Sequence, residues 1–273
     1  MTANLRNLLG KKGPLVVPGA TDALSARLIE AHGYEAVYIG SYATAASRYG
    51  KPDTGLLSLE QLVAHAKSIV DAVRIPVIAD AEAFDDAVPA FESAGVAAIH
   101  IEDHTGAGKH TDQPQTLYPA ELAAERIRAA VAARTNPDFL IVARSDAFWV
   151  HRDLDDCIAR LQRYAAAGAD MVFPTLAGPR ELPEVRRRIA KPVMIVNNAE
   201  DQHEGAAIVL YYAFSVAHHF AALERALTAR KLAADTTALE HFLIRLASRT
   251  MGDKAGAPDG PRRSRAAHAV ARR

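Results

Sequence analysis

Short apolar runs alternate along the chain with longer Ala-rich segments whose apolar residues recur at helical spacing. The short runs predict buried parallel strands, because a strand that is covered on both faces is apolar throughout. The predicted strands are Leu15–Val17, Glu35–Ile39, Val77–Asp80, Ala97–Glu102, Phe139–Ala143, Met171–Pro174, Val193–Val196 and Ile208–Tyr212. The predicted helices cover residues 21–32, 58–73, 85–94, 119–134, 154–167, 180–189 and 216–231. Eight strands that alternate with helices favour an α/β fold of the (β/α)8 TIM barrel type over an open sheet.

Two segments depart from this regular alternation. Only eleven residues separate Val196 from Ile208, whereas a parallel crossover takes about a dozen residues or more with its helix included. The seventh helix is therefore predicted to be shortened or absent. An additional C-terminal helix is predicted at Thr236–Ser248. A barrel closed by eight helices has no internal place for it, and one hypothesis is that it packs on another subunit.

The pattern predicts a single barrel domain with its C-terminal helix over residues 1–250, followed by a segment of different composition. Residues 251–273 are rich in Pro, Gly, Ala and Arg and have few large apolar side chains. Such a segment cannot bury enough surface to offset the entropy of ordering it. We expect a disordered, mildly basic tail, and an inert tail is a simpler interpretation than one that binds nucleic acid.

Composition and charge narrow the class of protein. The chain has 273 residues, 49% of them hydrophobic, which suits one large domain. Its 32 Lys and Arg residues balance 32 Asp and Glu residues, so neither nucleic acid nor a membrane surface is an expected partner. The one cysteine, Cys157, cannot form an internal disulfide and fits a reducing compartment. No apolar stretch near Met1 has the length of a signal peptide, so we expect a cytoplasmic protein.

Carboxylates stand at or just past the ends of several predicted strands. The runs VIADAE and AIHIED are both apolar until they stop in acidic residues. The carboxyl ends of barrel strands meet at one mouth, where such carboxylates repel each other unless a cation joins them. A hard divalent cation, Mg²⁺ most simply or Mn²⁺ as an alternative, prefers oxygen ligands. The predicted metal ligands are Asp53, Asp80, Glu82 and Glu102. The alternative is that these carboxylates only cap helices.

Other polar residues near the strand ends are candidate substrate contacts. Arg144 follows the apolar run FLIVA, and its guanidinium can bind a substrate carboxylate or serve as a counter-ion for the acidic residues. Gly40 and Ser41 follow the second strand, and their amides and hydroxyl can bind an anionic oxygen or form a plain turn. Lys109 and His110 lie in a Gly-containing loop suited to a lid. They are candidate acid/base groups, with solvent exposure as the alternative.

Five motifs in order resemble the isocitrate lyase and phosphoenolpyruvate mutase superfamily. The resemblance is strongest to its short members, such as 2-methylisocitrate lyase, oxaloacetate decarboxylase and phosphonopyruvate enzymes. Any one motif is weak, but their order over roughly the first 230 residues is specific. The motifs are PGATDALSARLIEAHGYEAVYIGSYATAAS, KPDTGLLSLEQLVAHA, VIADAE, IHIED and FLIVARSDAF.

The resemblance implies a Mg²⁺-dependent barrel enzyme that acts on small 2-oxo or 2-hydroxy carboxylates. It also implies a homo-tetramer or dimer in which a terminal helix is swapped between subunits. The shared chemical step is stabilisation of an enolate at the metal while a C–C or P–C bond breaks or forms. The residues that the resemblance assigns are Asp53, Asp80, Glu82 and Glu102 for the metal, Gly40, Ser41 and Tyr42 for a carboxylate, and Arg144 and Asn197 for other substrate contacts.

The departures from the superfamily pattern concern the groups that choose the reaction. The lyases of the superfamily carry a loop in which a Cys is the acid/base, whereas the loop here reads GAGKHTDQ. The Asn-bearing version of the loop in the mutases is also missing, and the family's Glu after the sixth strand is replaced by Thr175. The resemblance thus implies conserved metal and enolate machinery with an altered acid/base.

Three functions follow from these observations. The leading hypothesis is a divergent Mg²⁺-dependent lyase or decarboxylase that cleaves a C–C bond, with Arg144 holding the substrate and His110, Lys109 or a water supplying the proton. The second is a phosphonate mutase or hydrolase. The third is a catalytically degenerate barrel that serves as a binding or scaffold protein. The cost of burying uncompensated carboxylates argues against the third.

Overall fold

A computed structural model describes residues 4–11, 13–55, 57–106, 109–110, 113–197 and 204–254. Its strands are β1 (Leu15–Pro18), β2 (Val37–Ile39), β3 (Val77–Asp80), β4 (Ala98–Glu102), β5 (Leu140–Ser145), β6 (Met171–Pro174), β7 (Met194–Val196) and β8 (Ile208–Tyr211). Its helices are α1 (Leu5–Leu9), α2 (Ala23–Ala31), α3 (Ser41–Tyr49), α4 (Leu59–Val70), α5 (Ala87–Ser93), α6 (Ala120–Ala133), α7 (Ala147–His151), α8 (Leu154–Ala166), α9 (Leu182–Arg188), α10 (Phe214–Thr228) and α11 (Thr237–Lys254). Each predicted strand is present within two residues of its predicted bounds.

The eight strands close into a parallel barrel. Strands β2 to β6 form one sheet in chain order, and β1, β8 and β7 form a second sheet. Parallel bridges between Gly19 and Tyr38 and between Val172 and Val193 join the two sheets at both seams. Since all strands run in the same direction, their carboxyl ends open at one mouth. The predicted (β/α)8 barrel is confirmed.

Side chains alternate between two apolar layers along each strand. In β5, Leu140 and Val142 belong to the cluster that fills the barrel interior. Ile141 and Ala143 belong to the larger cluster between the strands and the outer helices. Both layers are buried, which explains why the strands read as continuous apolar runs.

Three short helices were not predicted. α1 and α7 have five residues each, and α3 has nine, many of them Ala or Ser. A helical period is difficult to recognise over so few turns. Helices α3 and α7 follow β2 and β5 almost directly, so they lie beside the barrel mouth.

The C-terminal helix is present as predicted, whereas the connection between β7 and β8 is described only in part, so the shortened or absent seventh helix stays a prediction. Residues 197 and 204–207 are not helical, and residues 198–203 lie outside the described part of the chain. α11 is the additional C-terminal helix, and it continues to Lys254. The tail predicted from residue 251 therefore begins no earlier than 255, and residues 255–273 lie outside the described range. Contacts divide the chain into two compact units, residues 1–222 and 223–273. Within the described residues, no helix has the length and apolar character needed to cross a bilayer.

Candidate active site

Strand alternation brings polar side chains to the inner face of the barrel mouth. The interior cluster includes Ile78 of β3, Ala98 of β4 and Val142 of β5. Residues two or four positions further along a strand lie on the same face. The polar residues at those positions, all buried, are Asp80, His100, Glu102 and Arg144. Asp80 lies opposite His100, and Glu102 lies opposite Arg144 in the strand register.

Ser41 links two of the predicted metal ligands. Its hydroxyl Oγ lies 3.1 Å from Asp53 Oδ2 and 3.0 Å from Asp80 Oδ2. Ser41 is the first residue of α3, and Gly40 is its N-cap. A Cβ atom at Gly40 would lie 2.8 Å from the Tyr38 ring, so the close approach of that ring requires glycine. The predicted turn at Gly40 and Ser41 is thus the start of a helix that points at the carboxylates.

Glu82 reaches the site through a turn and not through strand alternation. β3 ends at Asp80, and Glu82 has a left-handed backbone with φ of 48°. The Glu82 amide donates a hydrogen bond of 2.8 Å to Asp80 Oδ1. A left-handed conformation is unfavourable for a residue with a Cβ and is a feature of functional sites. Arg126 holds the following loop, since its Nε donates to Asp85 Oδ1 over 2.7 Å.

Lys109 is buried between two of the predicted metal ligands. Its Nζ lies 2.9 Å from Glu102 Oε1 and 3.9 Å from Glu82 Oε1. Only 2% of its side chain is exposed. The alternative that Lys109 is a solvent-exposed residue is therefore wrong. Negative neighbours, Glu102 first, outweigh the effect of burial and raise the pKa of Lys109, which remains a cation.

Arg144 is held as the counter-ion of two carboxylates. Its Nε and Nη2 donate to the two oxygens of Asp146 over 2.7 and 3.0 Å. Its Nη1 lies 3.1 Å from Glu102 Oε2, and its Nε also donates to the Thr175 hydroxyl over 2.9 Å. The guanidinium also lines the cavity at the mouth. The arrangement is compatible with both predicted roles, counter-ion and substrate contact.

Asp103 directly follows β4, and its side chain is turned away from the barrel interior. Its carboxylate accepts hydrogen bonds of 2.8 Å each from the Ser145 hydroxyl, the Tyr164 hydroxyl and the Asp146 amide. These bonds fix the end of β5 and the start of α7. Asp103 therefore supports the Arg144–Asp146 pair from behind the barrel wall and does not face the cavity.

His100 is a neutral interior residue. Its Nε2 lies 2.8 Å from the Tyr38 hydroxyl, and its Nδ1 lies 3.4 Å from Asp80 Oδ1. Complete burial lowers the pKa of His100 to about 4, so the ring is neutral at pH 7. Burial by itself would raise the pKa of Asp80, whereas nearby positive charges lower it below its usual value. At neutral pH these charges are Lys109 and Arg144.

The donor set fits a divalent cation although the described side chains do not form a finished metal shell. No group of three or more His, Cys, Asp or Glu residues has metal-binding spacing among the described residues. Glu82 Oε1 is nevertheless buried without a hydrogen-bond partner within the described chain, and buried Glu102 Oε2 makes no hydrogen bond there beyond its 3.1 Å ion pair with Arg144 Nη1. Orphaned carboxylate oxygens are costly. A hard cation with oxygen ligands would satisfy them.

Burial perturbs the titration of the same two glutamates. It raises the pKa of Glu82 to about 7 and that of Glu102 to about 8, despite the opposing charges of Lys109 and Arg144. Without a further cation, both carboxyls are thus partly protonated near neutral pH. A bound divalent cation would favour the ionised forms.

The free energy of unfolding of the metal-free protein is expected to fall as the pH rises from about 7 to about 8, above the range in which the buried histidines with lowered pKa oppose this trend. In this window folded Glu82 and Glu102 still hold protons that unfolded carboxyls, with a pKa near 4.5, have released. The folded state binds more protons, so raising the pH destabilises it. Urea titrations in EDTA at both pH values measure the slope. Glu102→Gln should reduce this dependence of stability on pH, whereas Glu60→Gln, at an exposed position, should not. A wild-type stability that rises over the same pH range would contradict the raised pKa values of the two glutamates.

A cavity of about 330 Å³ opens above these groups. Its lining combines polar residues, among them Asp53, Asp80 and Arg144, with aromatic and aliphatic ones. Sequence reasoning missed the lining residues Trp149, Phe173 and Leu176, whereas the expectation that Tyr211 or Tyr212 points into the mouth is confirmed for Tyr212. The usable signal was position, since Trp149 and Leu176 follow β5 and β6 directly, where a barrel builds its mouth.

The remaining predicted site residues divide into two groups. Tyr42 lines the cavity, and its ring meets Tyr212 edge-on at 5.7 Å. His110 also lines the cavity, with Nε2 3.5 Å from Asp53 Oδ2 and its ring 5.1 Å from that of Trp149. Asn197 follows β7 and is half-buried, and its backbone N–H donates to the Leu210 carbonyl. It is not among the described residues that line the cavity.

The fold and the site define a (β/α)8 barrel with a carboxylate-rich mouth. The chain belongs to the phosphoenolpyruvate phosphomutase family, whose model matches residues 5–231. It is 36% identical over 234 residues to 2,3-dimethylmalate lyase of Eubacterium barkeri, which covers 78% of this chain and 80% of that protein.

Solved structures agree with this assignment. A crystal structure of 2,3-dimethylmalate lyase, a PEP mutase/isocitrate lyase superfamily member, has a TM-score of 0.80 at 26% identity and covers 94% of this chain and all of that chain. Phosphonopyruvate hydrolase in complex with oxalate and Mg²⁺ has a TM-score of 0.75 at 25% identity, covering 94% and 99% of the two chains. The predicted superfamily and the prediction of an enzyme of this type are confirmed.

Proposed function

We propose that the protein is a divalent-cation-dependent lyase that cleaves a C–C bond in a small 2-hydroxy or 2-oxo carboxylate. The observation that carries the proposal is the excess of carboxylates over cations at the mouth. Among the described residues, Lys109 and Arg144 are the lysine and arginine that face Asp53, Asp80, Glu82 and Glu102. Glu82 Oε1 has no hydrogen-bond partner within the described chain, and Glu102 Oε2 has only its ion pair with Arg144 there. Burying uncompensated carboxylates is unfavourable, and a scaffold protein has no functional need for them.

The residues proposed to hold the cation are Asp80, Glu82 and Glu102, with Asp53 beside them. When bound, Mg²⁺ supplies a Lewis acid that stabilises the negative charge of an enolate oxygen. Mn²⁺ would serve the same purpose with the same oxygen ligands. A Mg²⁺ complex of phosphonopyruvate hydrolase, a structural neighbour, supports this choice of cation.

The start of α3 and Arg144 are proposed to bind the substrate carboxylates. The first amides of a helix have no intrahelical acceptor and carry the positive end of the helix dipole. Those of Ser41 and Tyr42 begin α3, and both residues line the cavity. The Arg144 guanidinium lines the same cavity and is oriented by Asp146. Together these groups would hold a dicarboxylate across the cavity.

His110 is the proposed base that takes the proton of a substrate hydroxyl. Burial lowers the pKa of His110, with Asp53 opposing that effect, so its ring is neutral at pH 7. As the hydroxyl proton moves to His110 Nε2, a C=O bond forms and the adjacent C–C bond breaks. The electron pair of that bond stays on the departing carbon, which takes up a proton afterwards. Lys109 is unsuited to this role, because it is cationic and paired with Glu102.

A substrate panel tests the proposal. 2,3-Dimethylmalate, 2-methylisocitrate, oxaloacetate and phosphonopyruvate are incubated with MgCl2 or EDTA, and release of 2-oxo acid and of phosphate is measured. We expect release of a 2-oxo acid from a hydroxy or oxo carboxylate that EDTA abolishes. Phosphate release from phosphonopyruvate would favour the phosphonate hydrolase alternative, and turnover of none of the four by Mg²⁺-loaded protein would favour the scaffold.

We also propose that the chain forms a homo-tetramer or dimer in which α11 is exchanged between subunits. α10, described throughout, has no buried residue. Exposed apolar side chains on α10 and α11 include Phe220, Leu223, Leu227, Leu243 and Ile244. Such a surface is typical of an interface. Sedimentation velocity should show an oligomer that dissociates when the chain ends at Asp235; a monomeric full-length chain would refute the proposal.

A further inference from the structure

We infer that the Lys109 ammonium is the resident cation of the metal-free site and that a divalent cation must displace it from Glu82 and Glu102. The inference rests on the proposed function, because it presupposes that these two carboxylates bind a metal. It assigns Lys109 a role that is neither acid/base nor substrate contact.

The contacts of Lys109 match those of a substitute cation. Its Nζ is 2.9 Å from Glu102 Oε1, a hydrogen-bond distance, and 3.9 Å from Glu82 Oε1, which is too long for a hydrogen bond. The exposed fraction of its side chain is 2%, and that of Glu102 is 1%. Burial of this kind is rare for lysine unless the charge is paired.

The ammonium neutralises charge but satisfies the two glutamates incompletely. Among the described residues, Glu82 Oε1 still has no hydrogen-bond partner, and Glu102 Oε2 has only its 3.1 Å ion pair with Arg144 Nη1. An ammonium offers three donors on one small centre, whereas a hard divalent cation gathers six or more oxygens. The site thus retains unused acceptor capacity of the kind that a divalent cation would use.

The position of Lys109 obstructs access from the cavity. The described cavity wall includes Lys109 and Asp80 but neither Glu82 nor Glu102. A cation that enters from the cavity therefore meets Asp80 and Lys109 at its wall, with Lys109 Nζ already 2.9 Å from Glu102 Oε1 and 3.9 Å from Glu82 Oε1. Two cations repel strongly in a buried site, where the effective dielectric constant is low. Binding of the metal to all three carboxylates thus requires the ammonium to leave.

Titration calorimetry of the intact protein with MgCl2 alone tests the competition. Lys109→Met keeps much of the side-chain length and removes the charge. We expect the Kd for Mg²⁺ to fall about tenfold or more in this variant, because the competing cation is gone. Lys67→Met is the matched control, since Lys67 is an exposed lysine paired with Asp71 on α4, and its Kd should equal that of the wild type.

The outcomes separate this inference from the proposed function. Wild-type protein that binds Mg²⁺ as tightly as Lys109→Met, or more tightly, overturns the competition and leaves the metal-dependent function standing. Absence of Mg²⁺ binding in both proteins overturns the competition and the metal dependence together.

Lysine labelling of the wild type decides the question even if Lys109→Met does not fold. Reductive methylation followed by peptide mass spectrometry reports the exposure of each lysine. Modification of Lys109 should increase several-fold when MgCl2 replaces EDTA, while that of Lys67 stays constant. Labelling of Lys109 that is unchanged or reduced by MgCl2 would overturn the inference.

Discussion

Replacement of Asp80 by alanine is expected to abolish Mg²⁺ binding and to lower the rate of substrate cleavage by about a thousandfold or more. Asp80 lies on the inner face of β3, lines the cavity and is ionised at neutral pH. Its carboxylate also accepts the hydrogen bonds of Ser41 and the Glu82 amide, so its loss removes a ligand and loosens two neighbours. Calorimetry with MgCl2 and the rate on the preferred panel substrate measure the effect.

Asp86→Ala is the matched control for this substitution. Asp86 is an exposed carboxylate that follows the same strand, and it forms no side-chain capping bond to α5. Its replacement should leave both Mg²⁺ binding and the rate unchanged. Metal binding by Asp80→Ala with wild-type affinity would show that the cation does not lie at the barrel mouth.

Replacement of Arg144 by methionine is expected to lower the free energy of unfolding by about 3 to 5 kcal/mol. Methionine fills part of the volume but leaves Asp146, which is completely buried, without its bidentate partner. Glu102 would retain Lys109 alone as a cation. Urea unfolding followed through the fluorescence of Trp149, the only tryptophan in the sequence, measures the loss.

Two further variants show whether the loss comes from the buried pair. Arg187 forms an exposed ion pair with Glu184, and Arg187→Met should leave the stability unchanged. Arg144→Lys keeps the charge without the planar fork and should restore part of the stability but not the substrate affinity. Wild-type stability in Arg144→Met would mean that Asp146 finds another partner.

Much of the fold is readable from sequence because each barrel strand is buried on both faces. The runs around Val77 and Leu140 are apolar at every position, so their place in a parallel sheet is visible locally. The orientation of Asp80 follows from the same local rule, since alternation continues from Ile78. The short helices α3 and α7 left no comparable pattern.

Only part of the candidate site can be predicted from the sequence by such local rules. The sequence predicts Glu82 as a metal ligand but not how it reaches the site, since the strand ends at Asp80 and a left-handed turn directs Glu82. A turn of this kind depends on the local hydrogen bond to Asp80 and on Arg126, which comes from α6. The bond to Asp80 is a sequence-local Asx turn, whereas no residue next to Glu82 in the sequence indicates the contact from Arg126.

The chain alone specified the barrel, its family and the carboxylates that gather at its mouth, because strand period and motif order are local properties of a sequence. Tertiary structure decided which charges meet there. The sequence leaves Lys109 as an acid/base candidate or an exposed loop residue, yet it is buried against Glu102. It leaves Arg144 as a substrate contact or a counter-ion without naming its partners, which the structure shows to be Asp146 and Glu102. Such pairings depend on distances between side chains that separate strands and loops bring together, and no local pattern contains those distances.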